Sequence, residues 1–302
     1  MSAPAELTPD GEIVACAICG ETATRTLYVK SGYAIGACTR CGLVYANPRA
    51  PKAKILGRYS ADYFWKEYLP SIGITGPDFD LARFDVRYGH LLALLGQRTQ
   101  GRRLLEVGSG AGFFLKAAER AGWQVTGIEL SEEASRFAID RLGLDIRRQP
   151  AEEALITPAS FDAAVMFDTI EHLFDPRAVL QAVAHALTAD GVLVVSTPNF
   201  DAASRFLLGA PWAVLSPLEH VYYFTEDSLR RLLLAAGFRD VQFIRRHTMW
   251  GPMETMNYHY THAPGAWPAR VAAMLVKGGG MPLARALQTI GRQDALLCFA
   301  RR

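Results

Sequence analysis

Residues 104–115 read LLEVGSGAGFFL. An apolar run of strand length enters Gly108, Gly110 and Gly112, and a helix-forming run leaves them. Glycines at these positions permit positive φ and let a ligand approach the backbone at a helix N-terminus. A dinucleotide loop of the G-x-G-x-x-G type wants a small residue at its last position. Counted from Gly108 that position is Phe113, and counted from Gly110 it is Leu115. Both are bulky, so a nicotinamide cofactor is disfavoured. Glu106 stands in the mouth of the loop, where an anion repels pyrophosphate and suits a ligand bearing an ammonium group.

Working outward, strands and helices alternate. The spacing predicts strands over RRLLEVG (102–108), QVTGIEL (124–130), LDIRRQ, FDAAVMFD (161–168), GVLVVST, VQFIRR (241–246) and DALLCFA (294–300). Helices fall between them. Ser131 is placed to cap one, with Gly143 past its end, and Asp175-Pro176 starts another. Thr225 caps a third, which Gly237 stops. Upstream, Leu81, Phe84, Tyr88, Leu91, Leu92 and Leu95 recur at helical spacing. This alternation predicts an α/β fold, a doubly wound, seven-stranded, mainly parallel sheet of Rossmann-like type.

The first part of the chain differs. Cys16, Cys19, Cys38 and Cys41 form C-x2-C-x18-C-x2-C, the spacing of a four-thiolate zinc site. Gly20 and Gly42 follow the two pairs and permit the tight turns. Four thiolates close a tetrahedral ion to water, so the implied zinc is structural. A redox dithiol needs one C-x-x-C at a helix start, not two. The fifth cysteine, Cys298, sits in an apolar run and reads as a core residue. The expected organisation is a zinc ribbon at 1–48, an aromatic-rich linker and helical cap at 49–100, and an α/β domain at 101–302 with an insertion at about 250–292.

The chain has 302 residues, half of them hydrophobic and 21% charged, which excludes a disordered protein. A formal charge of +2 does not argue for a nucleic-acid partner. No apolar stretch reaches the roughly 18 residues of a membrane span. The first residues, MSAPAELTPDGE, lack a basic region followed by an apolar core, so the expected location is the cytoplasm.

E-x-G-x-G after the first strand of the sheet resembles the leading motif of class I S-adenosylmethionine-dependent methyltransferases. The resemblance covers residues 101–246 and the final strand. It implies that Glu106, Gly108, Gly110 and Gly112 line the cofactor, that Glu129 and Leu130 meet its ribose, and that Ala151 and Glu152 meet its adenine. Phe167 and Asp168 would lie beside the sulfonium. Amino-methylating enzymes of nucleic acids carry a proline-proline-aromatic motif after the fourth strand; DTIEH stands there instead. The cysteine module, the aromatic linker and the EHVYYFT block (219–225) are similar to bacterial small-molecule methyltransferases, including NDP-sugar C-methyltransferases.

The resemblance therefore implies methyl transfer to oxygen or carbon of a small metabolite, such as a sugar, polysaccharide precursor or natural-product intermediate. His220 and His172 are the candidate bases, with Glu219 and Tyr223 near the first. A zinc-ribbon RNA-modifying methyltransferase and a non-catalytic scaffold are the alternatives. His247, His259 and His262 flank or lie in the insertion without the register of a metal site. The insertion itself could be a substrate lid, an oligomer contact or a cover for the sheet edge.

Overall fold

Buried Leu104 and Leu105 make residues 103–107 a central strand, and the sheet forms around it. The computed structural model describes residues 7–8, 10–76, 78–154, 156–245 and 285–302. Among the described residues the strands are β1 Thr24–Lys30, β2 Tyr33–Cys38, β3 Val44–Ala46, β4 Arg103–Val107, β5 Gln124–Glu129, β6 Ile146–Arg148, β7 Phe161–Phe167, β8 Leu187–Pro198, β9 Tyr222–Tyr223, β10 Arg239–Phe243 and β11 Ala295–Arg301. The helices are α1 Lys52–Leu56, α2 Ala61–Tyr63, α3 Leu69–Ser71, α4 Ala82–Arg98, α5 Phe113–Arg120, α6 Glu132–Leu142, α7 Pro176–Ala186, α8 Ala203–Leu208 and α9 Glu226–Ala235, with a π-helical turn at Phe64–Tyr68.

Seven strands form one sheet in the order β10-β11-β8-β7-β4-β5-β6. The pairs β4–β5, β5–β6, β4–β7 and β7–β8 are parallel. The chain winds outward from β4 to β6, then crosses back to β7 and winds the other way. The reversal lies between β4 and β7, and ligands of doubly wound sheets bind outside the carboxyl ends of the strands at such a point. Cys298 is fully buried in β11, a core residue as expected.

The helix signals hold in detail. Ser131 Oγ accepts from the Ala134 amide at 3.3 Å, and Gly143 takes the left-handed conformation that ends α6. Asp175 Oδ1 accepts from Ala178 at 3.0 Å above Pro176. Thr225 and Ser228 cap α9 reciprocally. One strand departs from expectation. β8 begins at Leu187, directly after α7, rather than at the Asp190-Gly191 turn. Leu187 pairs with Phe161 and Val192 with Ala163, so residues 188–191 bulge out of the ladder and the expected turn survives as an irregularity.

The chain divides into two compact units, both discontinuous. One draws its described residues from Met1–Ile55, Thr197–Leu232 and Phe243–Leu297; the other from Leu56–Ser196, Leu233–Gln242 and Cys298–Arg302. In the first, a four-stranded sheet runs β1-β2-β3-β9. β9 pairs antiparallel with β3, Val44 facing Tyr223 and Tyr45 facing Tyr222. Ile35, Val44, Phe200, Leu208, Trp212, Leu215 and Tyr223 pack into one core of this unit. The sheet built on residues 1–48 thus takes a strand from far along the chain. Most of the 250–292 insertion, with His247, His259 and His262, lies outside the described residues. Among the described residues no helix is long and apolar enough to cross a membrane.

Candidate active site

The glycine loop stands at the carboxyl end of β4. Gly108 and Ser109 both donate to the Ile128 carbonyl, at 2.8 and 3.1 Å, folding the loop back over β5. Gly108 and Gly110 have φ of +75° and +52°. A Cβ at Gly108 would lie 2.3 Å from Thr169 Oγ1, and one at Gly110 would lie 2.3 Å from the Tyr68 hydroxyl oxygen. Glycine is therefore required at both positions by conformation and by space. Gly112 is the N-cap of α5 and, lacking a side chain, leaves the first turn without a side-chain cap. Without that cap, the dipole of the helix N-terminus favours an anionic group.

Three acids surround this loop. Glu129 accepts from the Gly110 amide through Oε2 and from the Ser131 amide through Oε1, each at 2.7 Å. Burial raises its pKa above the ordinary carboxylate range, and the amide bonds oppose the rise. Glu106 is buried on β4, and its Oε2 has no hydrogen-bond partner among the described residues. Burial, then the charge of Glu129, pushes its pKa well up. Asp168 directly follows β7 at a φ of +47°, a conformation that aspartate tolerates better than most residues. Burial pushes its pKa up to about 6, against a hydrogen bond from Ser196 and the positive charge of Arg87.

The aromatic segment supplies what the sequence pattern did not reveal. Phe64 and Trp65 pack against Phe137 of α6, and Trp65 Nε1 donates to Glu133 at 3.1 Å. The turn so anchored carries Tyr68 to the glycine loop, where its hydroxyl oxygen accepts from the Ala111 amide at 3.4 Å. Tyr88, expected only as a core residue of α4, stacks on Phe167 with ring centroids 6.5 Å apart. Thr169, which fills the space over Gly108, was also missed. No local pattern marks these three; the partners of Tyr68, Tyr88 and Thr169 lie 43, 79 and 61 residues away along the chain.

Of the expected cofactor residues, Glu106, Gly108, Gly110, Gly112, Glu129, Phe167 and Asp168 lie at the carboxyl ends of β4, β5 and β7 or in the turns that follow. Leu130 is the residue after β5. Ala151 and Glu152 lie in the 3-10 turn Ala151–Glu153 after β6. Glu152 Oε1 accepts from the Phe174 amide at 2.8 Å, which gives it a role in holding the loop before α7. His172 lies in the turn Ile170–His172, with Nε2 3.9 Å from the buried Glu171 carboxylate.

The other candidates belong to the first unit. His220 Nδ1 is 2.9 Å from the Val214 carbonyl. A carbonyl only accepts, so Nδ1 carries a proton and Nε2 is the basic nitrogen when the ring is neutral. Burial lowers the imidazole pKa, while the Val214 carbonyl and the Glu219 charge pull it back up. Tyr223 packs in the core with Phe200 and Trp212, and burial raises its phenol well above the ordinary value. In the same unit the four Sγ atoms of Cys16, Cys19, Cys38 and Cys41 lie within 4.8 Å of one another, and none is in a disulfide. Each C-x-x-C makes the same turn: Gly20 donates to the Cys16 carbonyl and Gly42 to the Cys38 carbonyl, both at 2.9 Å.

Residues 82–243 match the family described as "Methyltransferase domain". The chain belongs to the class I S-adenosylmethionine-dependent methyltransferases. Among curated relatives, the "Ubiquinone biosynthesis O-methyltransferase" of Xylella fastidiosa is 37% identical over 149 residues, covering 46% of this chain and 59% of that protein. Its namesake from Idiomarina loihiensis is 31% identical over 156 residues, covering 47% and 63%. This methyltransferase thus spans about three fifths of the length of the curated relatives it matches. Its fold resembles a chain of a Haloferax volcanii complex between the Trm112 methyltransferase activator and a methyltransferase described as putative, with a TM-score of 0.50, 15% identity, and coverage of 73% and 92%. The chemistry of the loop residues fits the methyltransferase cofactor: Glu106 is buried with one oxygen lacking a partner among the described residues, which suits an ammonium or sulfonium, and Glu129 is a carboxyl of the kind that could accept from ribose hydroxyls.

Proposed function

We propose that this methyltransferase methylates an oxygen of a small metabolite, with His220 as general base. The single observation that carries the cofactor half is the pair of buried carboxylates around an uncapped helix N-terminus, Glu106 and Glu129 beside α5. The names of the relatives support oxygen over carbon as the acceptor atom, and so a hydroxyl as the acceptor group. When bound, S-adenosylmethionine supplies a methyl group already activated by its sulfonium. The protein then has to hold the acceptor in line, exclude water and remove a proton.

Glu129 holds the ribose end, and Glu106 offsets the positive end of the cofactor. His220 would take the proton of the acceptor hydroxyl on Nε2, leaving the oxygen free to receive the methyl group. The proton on Nδ1 stays with the Val214 carbonyl throughout. Glu219 assists by its charge, Tyr223 is the further candidate in the same unit, and His172 is the alternative base. Ala151, Glu152, Leu130, Phe167 and Asp168 complete the proposed cofactor contacts.

The four cysteines are proposed to hold one structural zinc ion. Zn–S bonds of about 2.3 Å in a tetrahedron put sulfurs about 3.8 Å apart, and Cys16–Cys41 and Cys19–Cys38 stand at 3.4 and 3.5 Å. With all four positions filled, the ion has none left for substrate. The division into modules at 1–48, 49–100 and 101–302, a cytoplasmic location and the absence of a nucleic-acid partner belong to the same reading. The test is product formation. Incubation with methyl-labelled S-adenosylmethionine and a panel of phenols and sugar hydroxyls should give a methyl ether. A carbon-methylated product from the same panel would overturn the choice of oxygen.

A further inference from the structure

Tyr68 is held at the glycine loop by a built mount. The π-helical turn Phe64–Tyr68 inserts the buried Phe64 against Phe137, with ring centroids 5.7 Å apart, and Tyr68 stacks on Phe64 at the same distance. Such turns are rare and concentrate at functional sites. The Tyr68 hydroxyl occupies the space that only a glycine at 110 leaves open. It accepts one long bond, from Ala111, and no described residue accepts its own proton. The phenol is buried, and its pKa is raised by that burial and by the charges of Tyr88, Glu129 and Glu106, so the proton stays on the oxygen.

The donors at this spot can be counted by role. The Gly110 amide is taken by Glu129. The Ala111 amide is taken by the Tyr68 hydroxyl oxygen, which leaves the O–H of Tyr68, at the start of α5, to offer a hydrogen bond to an anion. Glu106, whose Oε2 has no partner among the described residues, draws a positive group. A ligand carrying both an ammonium and a carboxylate on one carbon matches this division; the amino-acid tail of S-adenosylmethionine is such a group.

We infer that Tyr68 donates its hydroxyl proton to the carboxylate of the cofactor's amino-acid tail, beside the Ala111 amide, and so selects ligands that carry the tail. The inference rests on the cofactor proposed above. It makes Tyr68 a specificity-determining residue for the cofactor rather than a packing residue of the aromatic segment.

Calorimetry with two probes separates these roles. S-adenosylhomocysteine has the tail, and 5′-methylthioadenosine keeps the adenosine and sulfur without it. Tyr68→Phe should weaken S-adenosylhomocysteine by about tenfold to a hundredfold, the scale of a hydrogen bond to a charged group. Binding of 5′-methylthioadenosine should stay within about twofold, which also reports that the variant's site is folded. Unchanged affinity for S-adenosylhomocysteine, or equal losses for both probes, would overturn the inference. If the unaltered protein binds neither probe, the cofactor reading itself fails, and that result is distinct from a failure of Tyr68.

Discussion

The cysteine cluster and the glycine-loop acids are both sets of acidic groups gathered by tight turns, yet they end in opposite states. At the cysteines, four sulfurs converge from two copies of one turn. The number of donors equals the number a tetrahedral ion accepts, so the cluster is complete in itself. At the loop, Glu129 has its amide partners but Glu106 keeps an oxygen with none among the described residues, and the start of α5 has no side-chain cap. Buried polar groups without partners cost about 1–3 kcal/mol each. A structure retains such a cost where a ligand removes it. Saturation distinguishes a staple from a binding site here more sharply than residue type does.

The largest effect should come from breaking the saturated cluster. A structural zinc contributes on the order of 10 kcal/mol to the folding of a small module. Cys38→Ser should lose the metal and expose the first 50 residues to protease. Because β9 pairs with β3, hydrogen-exchange protection should fall at Tyr222–Tyr223 as well as at Val44–Ala46, while β4, β5 and β7 keep theirs. Metal-free protein with an unchanged cleavage pattern would refute a structural zinc.

The next effect concerns the proposed base. His220→Asn should lower turnover by roughly 10²–10⁴-fold and leave S-adenosylhomocysteine affinity unchanged. The pH profile gives the sign. Burial holds the folded imidazole below its ordinary 6.5, so the neutral, basic form persists at pH 7 and is lost only as pH falls below that value. The rate should therefore be flat above pH 6.5 and decline beneath it. A rate still climbing above pH 6.5 contradicts His220. If His172→Asn abolishes turnover and His220→Asn does not, the base belongs to the loop after β7.

The sequence and the structure agree where signals are local. The strand into E-x-G-x-G, the Ser131 and Asp175 caps and the paired C-x-x-C turns are each read within a few residues, and each is found in place. What escaped the sequence is non-local. β9 is two residues long, and nothing in EHVYYFT announces a partner near residue 45. Tyr68 sits in an aromatic cluster without helical or strand periodicity, and its contact lies 43 residues away. Glu152, expected to face adenine, has a bond to the Phe174 amide that no spacing rule foretells.

The smallest effect is also the most direct test, because it acts on the unsaturated site itself. Titration of the protein with S-adenosylhomocysteine should show binding, and titration with NAD should show none. Glu129→Ala should weaken S-adenosylhomocysteine by about 1–3 kcal/mol, the scale of hydrogen bonds to a buried charged acceptor. Equal affinity in the two proteins, or binding of NAD by either, would contradict the account.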